Sequence, residues 1–293
     1  MRLSTFATAA LAATGLLFSA STFAADADTD SWSVSVNEQA ASLVPDNIRD
    51  RGYITVASGT AYPPFEFFAK DNETMIGYDI DVSDAIGAVL DLEVKHQPTT
   101  FSGIIPGLAA GKYDMAMSAF GITDERKKVV DFVGPYVMGG TGLAVEKGNP
   151  LDLRMSQEAL CGHVIGGLQG TYQVNLYLPA MSKACENQGS EPITIKIYKT
   201  QSAANLALVS GRIEGVLADS APLAYQGMLA GGRFGLAPGP NYKPVPFGIA
   251  MPKDSKLKPA IEAALETLKD NGVLAKILAK WHMADSWLDD SGS

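Results

Sequence analysis

Three groups of residues have the types and spacing to do chemistry. The first is Met117-Ser118-Ala119-Phe120-Gly121-Ile122-Thr123-Asp124-Glu125-Arg126, where a β-like run breaks into small residues that leave backbone N–H groups open. Thr123 reads as the N-cap of a short helix, with Asp124 and Glu125 in a first turn that favours negative charge. Arg126 follows, and a planar guanidinium beside free amides can hold a small carboxylate bidentately. The same pattern also fits a capped helix with a solvated arginine. The second group is Gln169-Gly170-Thr171-Tyr172, where Gly170 and Thr171 open a predicted helix whose free amides attract an anion; Thr171 as a plain N-cap is the alternative. The third is Asp219, which ends the apolar run Gly215-Val216-Leu217-Ala218. An acid there is costly unless it finds a partner, reaches water or caps the next segment. Tyr62, on a loop stiffened by Pro63 and Pro64, and Phe101 add two aromatics, types that also serve as core or rim residues. An arginine with amides for a carboxylate, an acid for an ammonium and aromatics for a side chain would together recognise an α-amino acid.

The elements that must position these groups alternate between strand and helix. Residues 53–57 read as a buried strand rich in β-branched residues. Val82, Ala85, Ile86, Val89 and Leu90 recur at helical spacing within 79–90. A strand over 92–96, a helix over 104–110 and a strand over 113–117 follow. The pattern is α/β, with the loops around Tyr62, Phe101 and 118–126 at strand ends, where open α/β sheets bind ligands. Residues 133–143 hold Pro135 and four glycines, as suits a bending segment that crosses to a second unit. That unit reads as a strand over 143–145, a loop and helix over 150–159, strands over 161–166, 193–198 and 215–218, and a helix over 202–210. Residues 244–250 read as the return crossing, and helices over 257–269 and 273–281 complete the pattern.

Composition narrows the class. With 293 residues, 46% hydrophobic and 19% charged, the chain can bury a large core and divide into two lobes. Residues 1–24 read as a secretory signal: Arg2, an apolar stretch over 6–18, and small residues before a cut near Ala24 or Ala25. No cysteine lies near the cut, so a periplasmic protein without a lipid anchor is expected. Residues 25–51 read as an N-terminal arm. The net charge of −9 lacks any basic patch and argues against a nucleic-acid partner. Cys161 and Cys185 are the only cysteines, and an exported pair is expected to form a disulfide. The scattered His96, His163 and His282 argue against a metal site, and no cofactor is expected.

Six motifs follow one another in order: Tyr62-Pro63-Pro64-Phe65-Glu66-Phe67, Gly77-Tyr78-Asp79-Ile80-Asp81, Phe101-Ser102-Gly103-Ile104-Ile105-Pro106-Gly107-Leu108, Ile122-Thr123-Asp124-Glu125-Arg126, Gln169-Gly170-Thr171 and Gly248-Ile249-Ala250. By these motifs the chain from about Gly52 to Trp281 resembles the periplasmic substrate-binding proteins of polar amino acid ABC transporters, the family 3 solute-binding proteins. It implies two α/β lobes, residues 52–140 with 246–293 and residues 141–245, joined by two crossing strands that form a hinge. It implies an amino acid ligand and a membrane permease as partners. Arg126 would bind the α-carboxylate, helped by amides near Gly121 and Tyr172 and by Thr171; Asp219 would bind the α-ammonium, and Tyr62 and Phe101 would flank the side chain. Ser118 matches a ligand contact through its carbonyl or hydroxyl, or a turn residue. The Cys161 and Cys185 pair resembles the disulfide of one branch. Gly59 stands where binders of basic amino acids carry aspartate, Gly121 where many members carry Ser or Thr, and Leu168 and Ala218 are apolar. These departures favour an uncharged ligand with a sizeable apolar or aromatic side chain. The competing class is an exported dehydratase of aromatic amino acid precursors, which would need a general acid or base in the cleft.

Overall fold

The structure is a computed structural model that describes residues 34–283. The expected signal and most of the residues between it and the first helix lie outside the described residues. The strands, in chain order, are β1 (Tyr53–Ser58), β2 (Ala61–Tyr62), β3 (Glu66–Phe68), β4 (Met75–Ile76), β5 (Glu93–Pro98), β6 (Met115–Ala116), β7 (Val130–Glu146), β8 (Val164–Leu168), β9 (Thr194–Tyr198), β10 (Gly215–Asp219), β11 (Phe234–Leu236) and β12 (Tyr242–Pro252). The main sheet runs β5-β1-β6-β12-β7-β10-β8-β9, with β11 paired to β7; β2, β3 and β4 form a small separate sheet.

The fold is the two-lobed α/β arrangement. The long antiparallel pair β7–β12 lies at the middle of the sheet, with parallel strands β5, β1 and β6 on one side and β10, β8 and β9 on the other. One lobe buries Ile54, Val82, Phe65, Met117 and Ile261 together, and the other buries Leu143, Ile165, Leu178 and Leu217. β7 is continuous through residue 140 and β12 through residues 245–246, and the two pair antiparallel with register shifts between Tyr242 and Val245 and between Phe247 and Ile249. Gly139 is needed inside β7 because the Phe247 ring of β12 packs against it; a Cβ there would be 2.1 Å from the ring tip.

Local sequence explains most of the elements. The helix Tyr78–Leu90 starts after Gly77, whose φ of 138° and contact with the Phe65 carbonyl, 2.1 Å from where a Cβ would stand, admit only glycine. The amides of Tyr78 and Asp79 donate back to the Pro64 and Phe65 carbonyls at 2.9 Å, which ties the Tyr62 loop to this helix. The helix expected over 104–110 begins earlier, at Phe101. The expected helix within 150–159 reduces to a 3-10 turn, Glu158–Leu160. There the Asn149 side chain exchanges two hydrogen bonds with the Leu153 backbone, competing with helical pairing. Cys161 and Cys185 form the expected disulfide, with Cα atoms 5.6 Å apart and a sequence separation of 24. Closing a loop of that length is worth about 3 kcal/mol in the chain-entropy view.

Candidate functional site

A cavity of about 60 Å³ lies between the ends of β1, β6, β8 and β10. It is lined by Tyr62, Phe101, Ser118, Arg126, Leu168, Thr171, Tyr172 and Asp219, and also by Gly59, Glu66, Gln173 and Gln201. The loops expected to gather at strand ends therefore do gather, from both lobes.

Arg126 is held by the local signal that marked it. Thr123 caps the short helix Asp124–Lys127, its hydroxyl accepting from the Arg126 amide at 3.3 Å. The guanidinium is buried beside the rings of Phe101, Phe120 and Tyr172, with centroids 5.5, 5.0 and 5.8 Å away. It donates to the Gly121 carbonyl at 2.9 Å and to the Gly170 carbonyl at 3.3 Å, the second reaching across to the other lobe. It forms no ion pair among the described residues. Burial lowers its pKa to about 10, opposed by Tyr172 and Asp219, so it stays charged at neutral pH. A buried guanidinium has five N–H donors, and two carbonyls leave donors unspent.

Asp219 faces the same cavity from the other lobe. It stands at the N-cap position of the helix Ser220–Leu229, yet its side chain makes no capping bond. Its Oδ2 accepts from the Tyr62 hydroxyl at 2.6 Å, and its Oδ1 accepts from the Tyr172 hydroxyl and from Gln173 Nε2, the latter at 2.9 Å. Burial raises its pKa, while these three donors and the Arg126 charge pull it down. The Tyr62 and Tyr172 hydroxyls are pushed well above their usual range by burial and by Asp219, which keeps both as donors.

The remaining expected residues differ in what they offer. Phe101 stacks on Phe120 with centroids 4.9 Å apart, forming one wall. Thr171 lines the cavity and also behaves as a cap, its Oγ1 accepting from the Val174 amide at 3.4 Å and donating to the Leu168 carbonyl at 2.8 Å. A π-helical turn, Gln173–Tyr177, comes next in the chain and leads into the helix Leu178–Asn187. The Ser118 hydroxyl donates to Glu66 Oε1 at 2.6 Å and accepts from the Gly59 amide at 3.1 Å. Gly121 lies outside the cavity lining; its carbonyl holds Arg126 from behind. A Cβ at Gly121 would stand 2.7 Å from the Tyr172 ring, so glycine there is what lets Tyr172 close over the guanidinium.

Glu66 and Gln201 are cavity residues that the sequence reading did not single out. Each is 1% exposed, and each has one oxygen, Glu66 Oε2 and Gln201 Oε1, that accepts no hydrogen bond among the described residues. Burial, then the neighbouring Asp79, push Glu66 well above the usual carboxylate range; Ser118 pulls it down and Asp219 pushes it up further. Gly59 uncovers this acid, since a Cβ there would be 3.0 Å from Glu66 Oε1. Glu66 stands directly opposite Tyr62 in the antiparallel β2–β3 pair, which puts the two side chains on one face.

The sequence pattern of the bacterial extracellular solute-binding proteins, family 3, matches residues 54–284. The chain belongs to this family. As a family member it is similar to an arginine-binding protein of Corynebacterium glutamicum, with 33% identity over 251 residues that cover 85% of this chain and 80% of that protein. Among solved structures it is similar to an ancestral arginine-binding protein, bound to arginine in one structure and to glutamine in another. Both have a TM-score of 0.70 and 34% identity, covering 79% and 80% of this chain and 98% and 99% of the other. An ancestral amino acid-binding protein described as a precursor of cyclohexadienyl dehydratase is similar too, with a TM-score of 0.68 and 31% identity over 82% of this chain and 99% of that one.

Proposed function

We propose that this family 3 protein binds one free amino acid outside the cytoplasm and delivers it to the membrane permease of an ABC transporter. The observation that carries this reading is the pairing, in one cavity, of a buried guanidinium that has no carboxylate partner among the described residues and a buried carboxylate. In this reading Arg126 takes the α-carboxylate with the N–H groups that Gly121 and Gly170 leave free, and the Thr171 and Tyr172 side of the cavity closes over it. Asp219 takes the α-ammonium, steadied by Gln173. Tyr62 and Phe101 flank the side chain, with Leu168 and Ser118 at its edges. The lobes, residues 52–140 with the chain from 246 onward and residues 141–245, close about β7 and β12.

Gly59 and Leu168 speak for an uncharged side chain, as the sequence departures do. Against the uncharged reading, Glu66 beneath Gly59 favours a side chain that ends in N–H groups, charged or neutral, because a buried acceptor without a partner costs free energy until a donor reaches it. Guanidinium and carboxamide ends both qualify, and the ancestral relative was solved with arginine and with glutamine. A cation there would draw the proton off Glu66, while a carboxamide would share it.

Calorimetric titration with the twenty common amino acids tests the reading. Saturable one-to-one binding of arginine, glutamine or a similar donor-ended amino acid is expected. Binding of none of the twenty, with turnover of prephenate or arogenate, would move the protein to the enzymatic alternative.

A further inference from the structure

Three buried carboxamides connect the cavity to the opposite lobe. Gln201 opens the helix Gln201–Val209 and lines the cavity. Its Nε2 donates to Asn205 Oδ1 at 3.0 Å, Asn205 Nδ2 donates to Gln226 Oε1 at 2.6 Å, and Gln226 Nε2 donates to the Pro63 carbonyl at 3.2 Å. Gln201, Asn205 and Gln226 are 1%, 9% and 8% exposed. Pro63 belongs to the loop that carries Tyr62 in the other lobe, 163 residues away from Gln226 in sequence.

The far end fixes the direction of the chain. A carboxamide can turn over and exchange its oxygen and nitrogen, but a backbone carbonyl only accepts. Gln226 must therefore present its nitrogen to Pro63, which leaves its oxygen for Asn205 and, in turn, the Asn205 oxygen for Gln201. Gln201, which lines the cavity, is left with its own oxygen, and that buried oxygen has no partner among the described residues. A donor placed on it polarises the carboxamides behind it in the same sense, since hydrogen bonds in a row strengthen one another in a medium of low dielectric. The row ends on the same loop whose Tyr62 hydroxyl reaches Asp219.

We infer that Gln201, Asn205 and Gln226 form a relay, resting on the amino-acid-binding reading above, that takes an N–H donor of the ligand side chain at Gln201 and tightens the hold of the second lobe on the Pro63 loop. Gln226 and Asn205 are positioning residues in this arrangement, remote from the ligand yet sensitive to its side chain. The relay thus makes closure depend on what the side chain ends in, beyond the α-amino and α-carboxyl groups.

The test is a comparison of ligands across variants. Wild type, Gln226→Met and Gln201→Met are titrated calorimetrically with arginine, citrulline, glutamine and norleucine, the last having no side-chain donor. For the tightest donor-ended ligand, Gln226→Met is expected to lose about tenfold in affinity, the scale of one buried hydrogen bond, while norleucine changes less than about threefold. Gln201→Met, with the Pro63 contact intact but the cavity acceptor gone, is expected to show the same discrimination. Equal losses for norleucine and the donor-ended ligands, or no loss in either variant, would overturn the relay and leave the binding reading intact. No binding to wild type would overturn both. A Gln226→Met protein that fails to fold leaves the decision to Gln201→Met.

Discussion

The Tyr62 hydroxyl donates to Asp219 Oδ2 at 2.6 Å and accepts from the Asp219 amide at 3.2 Å, joining the end of β2 to the end of β10 across 157 residues of sequence. One aromatic residue thus serves as a wall of the cavity and as a clasp between the lobes. The same carboxylate oxygen is where a ligand ammonium would compete.

Tyr62→Phe separates those two roles. The ring stays, but a buried acceptor loses its donor, which costs about 1–3 kcal/mol. The unfolding midpoint without ligand is expected to fall by roughly 2–8 °C. Saturating amino acid is expected to recover much of the loss, because an ammonium can satisfy the freed oxygen. Thermal scans with and without ligand check this, and an unchanged midpoint without ligand would remove the clasp.

Gly121→Ser places a side chain 2.7 Å from the Tyr172 ring, at the Cβ itself. Tyr172 must then move off the guanidinium and off Asp219. Affinity is expected to fall at least tenfold, and the unfolding midpoint without ligand is expected to fall as well, since the buried Tyr172–Asp219 hydrogen bond is lost; unchanged affinity in the folded variant would overturn this. Titration of the folded variant decides it.

Asp79 gives the protein a pH-dependent stability. It is buried at the start of the helix Tyr78–Leu90, accepting from the Ala119 amide at 2.7 Å and the Tyr136 hydroxyl at 2.9 Å. Burial raises its pKa to about 7 despite both donors. In the unfolded chain it titrates near 4 (about 3.9), so the folded state holds the proton more tightly. That contribution is complete below about pH 4 and is lost as pH rises through about 7. Glu66, also pushed upward, acts in the same direction. The unfolding midpoint is expected to fall between pH 5 and pH 8, and Asp79→Asn is expected to flatten that slope. A slope unchanged by the substitution would place its origin elsewhere.

Local chemistry made Arg126 and Asp219 legible. Thr123 three residues before an arginine is a capping signal within one turn, and an acid at the end of Gly215-Val216-Leu217-Ala218 stands out against its strand. The α/β order and the disulfide followed in the same way from periodicity and from two cysteines. The residues that sequence reading missed depend on contacts between distant segments. Glu66 matters because Gly59 leaves it uncovered and Asp79 lies beside it. Gly121 was expected to contribute its backbone to the ligand, but its surroundings are set by Tyr172, 51 positions later in the other lobe. The helix within 150–159 gives way to turns, with the Asn149 side chain bonded to the Leu153 backbone at their start, and the row from Gln201 to Pro63 spans three segments with no shared motif.

Arg126 carries the central claim, that the cavity holds the carboxylate of an amino acid. The most direct measurement is titration of Arg126→Ala beside wild type with the amino acid that wild type binds most tightly, each protein checked by its thermal unfolding. The expected result is a loss of at least a hundredfold in affinity, the scale of a bidentate charged pair, with a folded protein that still melts cooperatively. Affinity within a few-fold of wild type in a folded Arg126→Ala protein would contradict the claim.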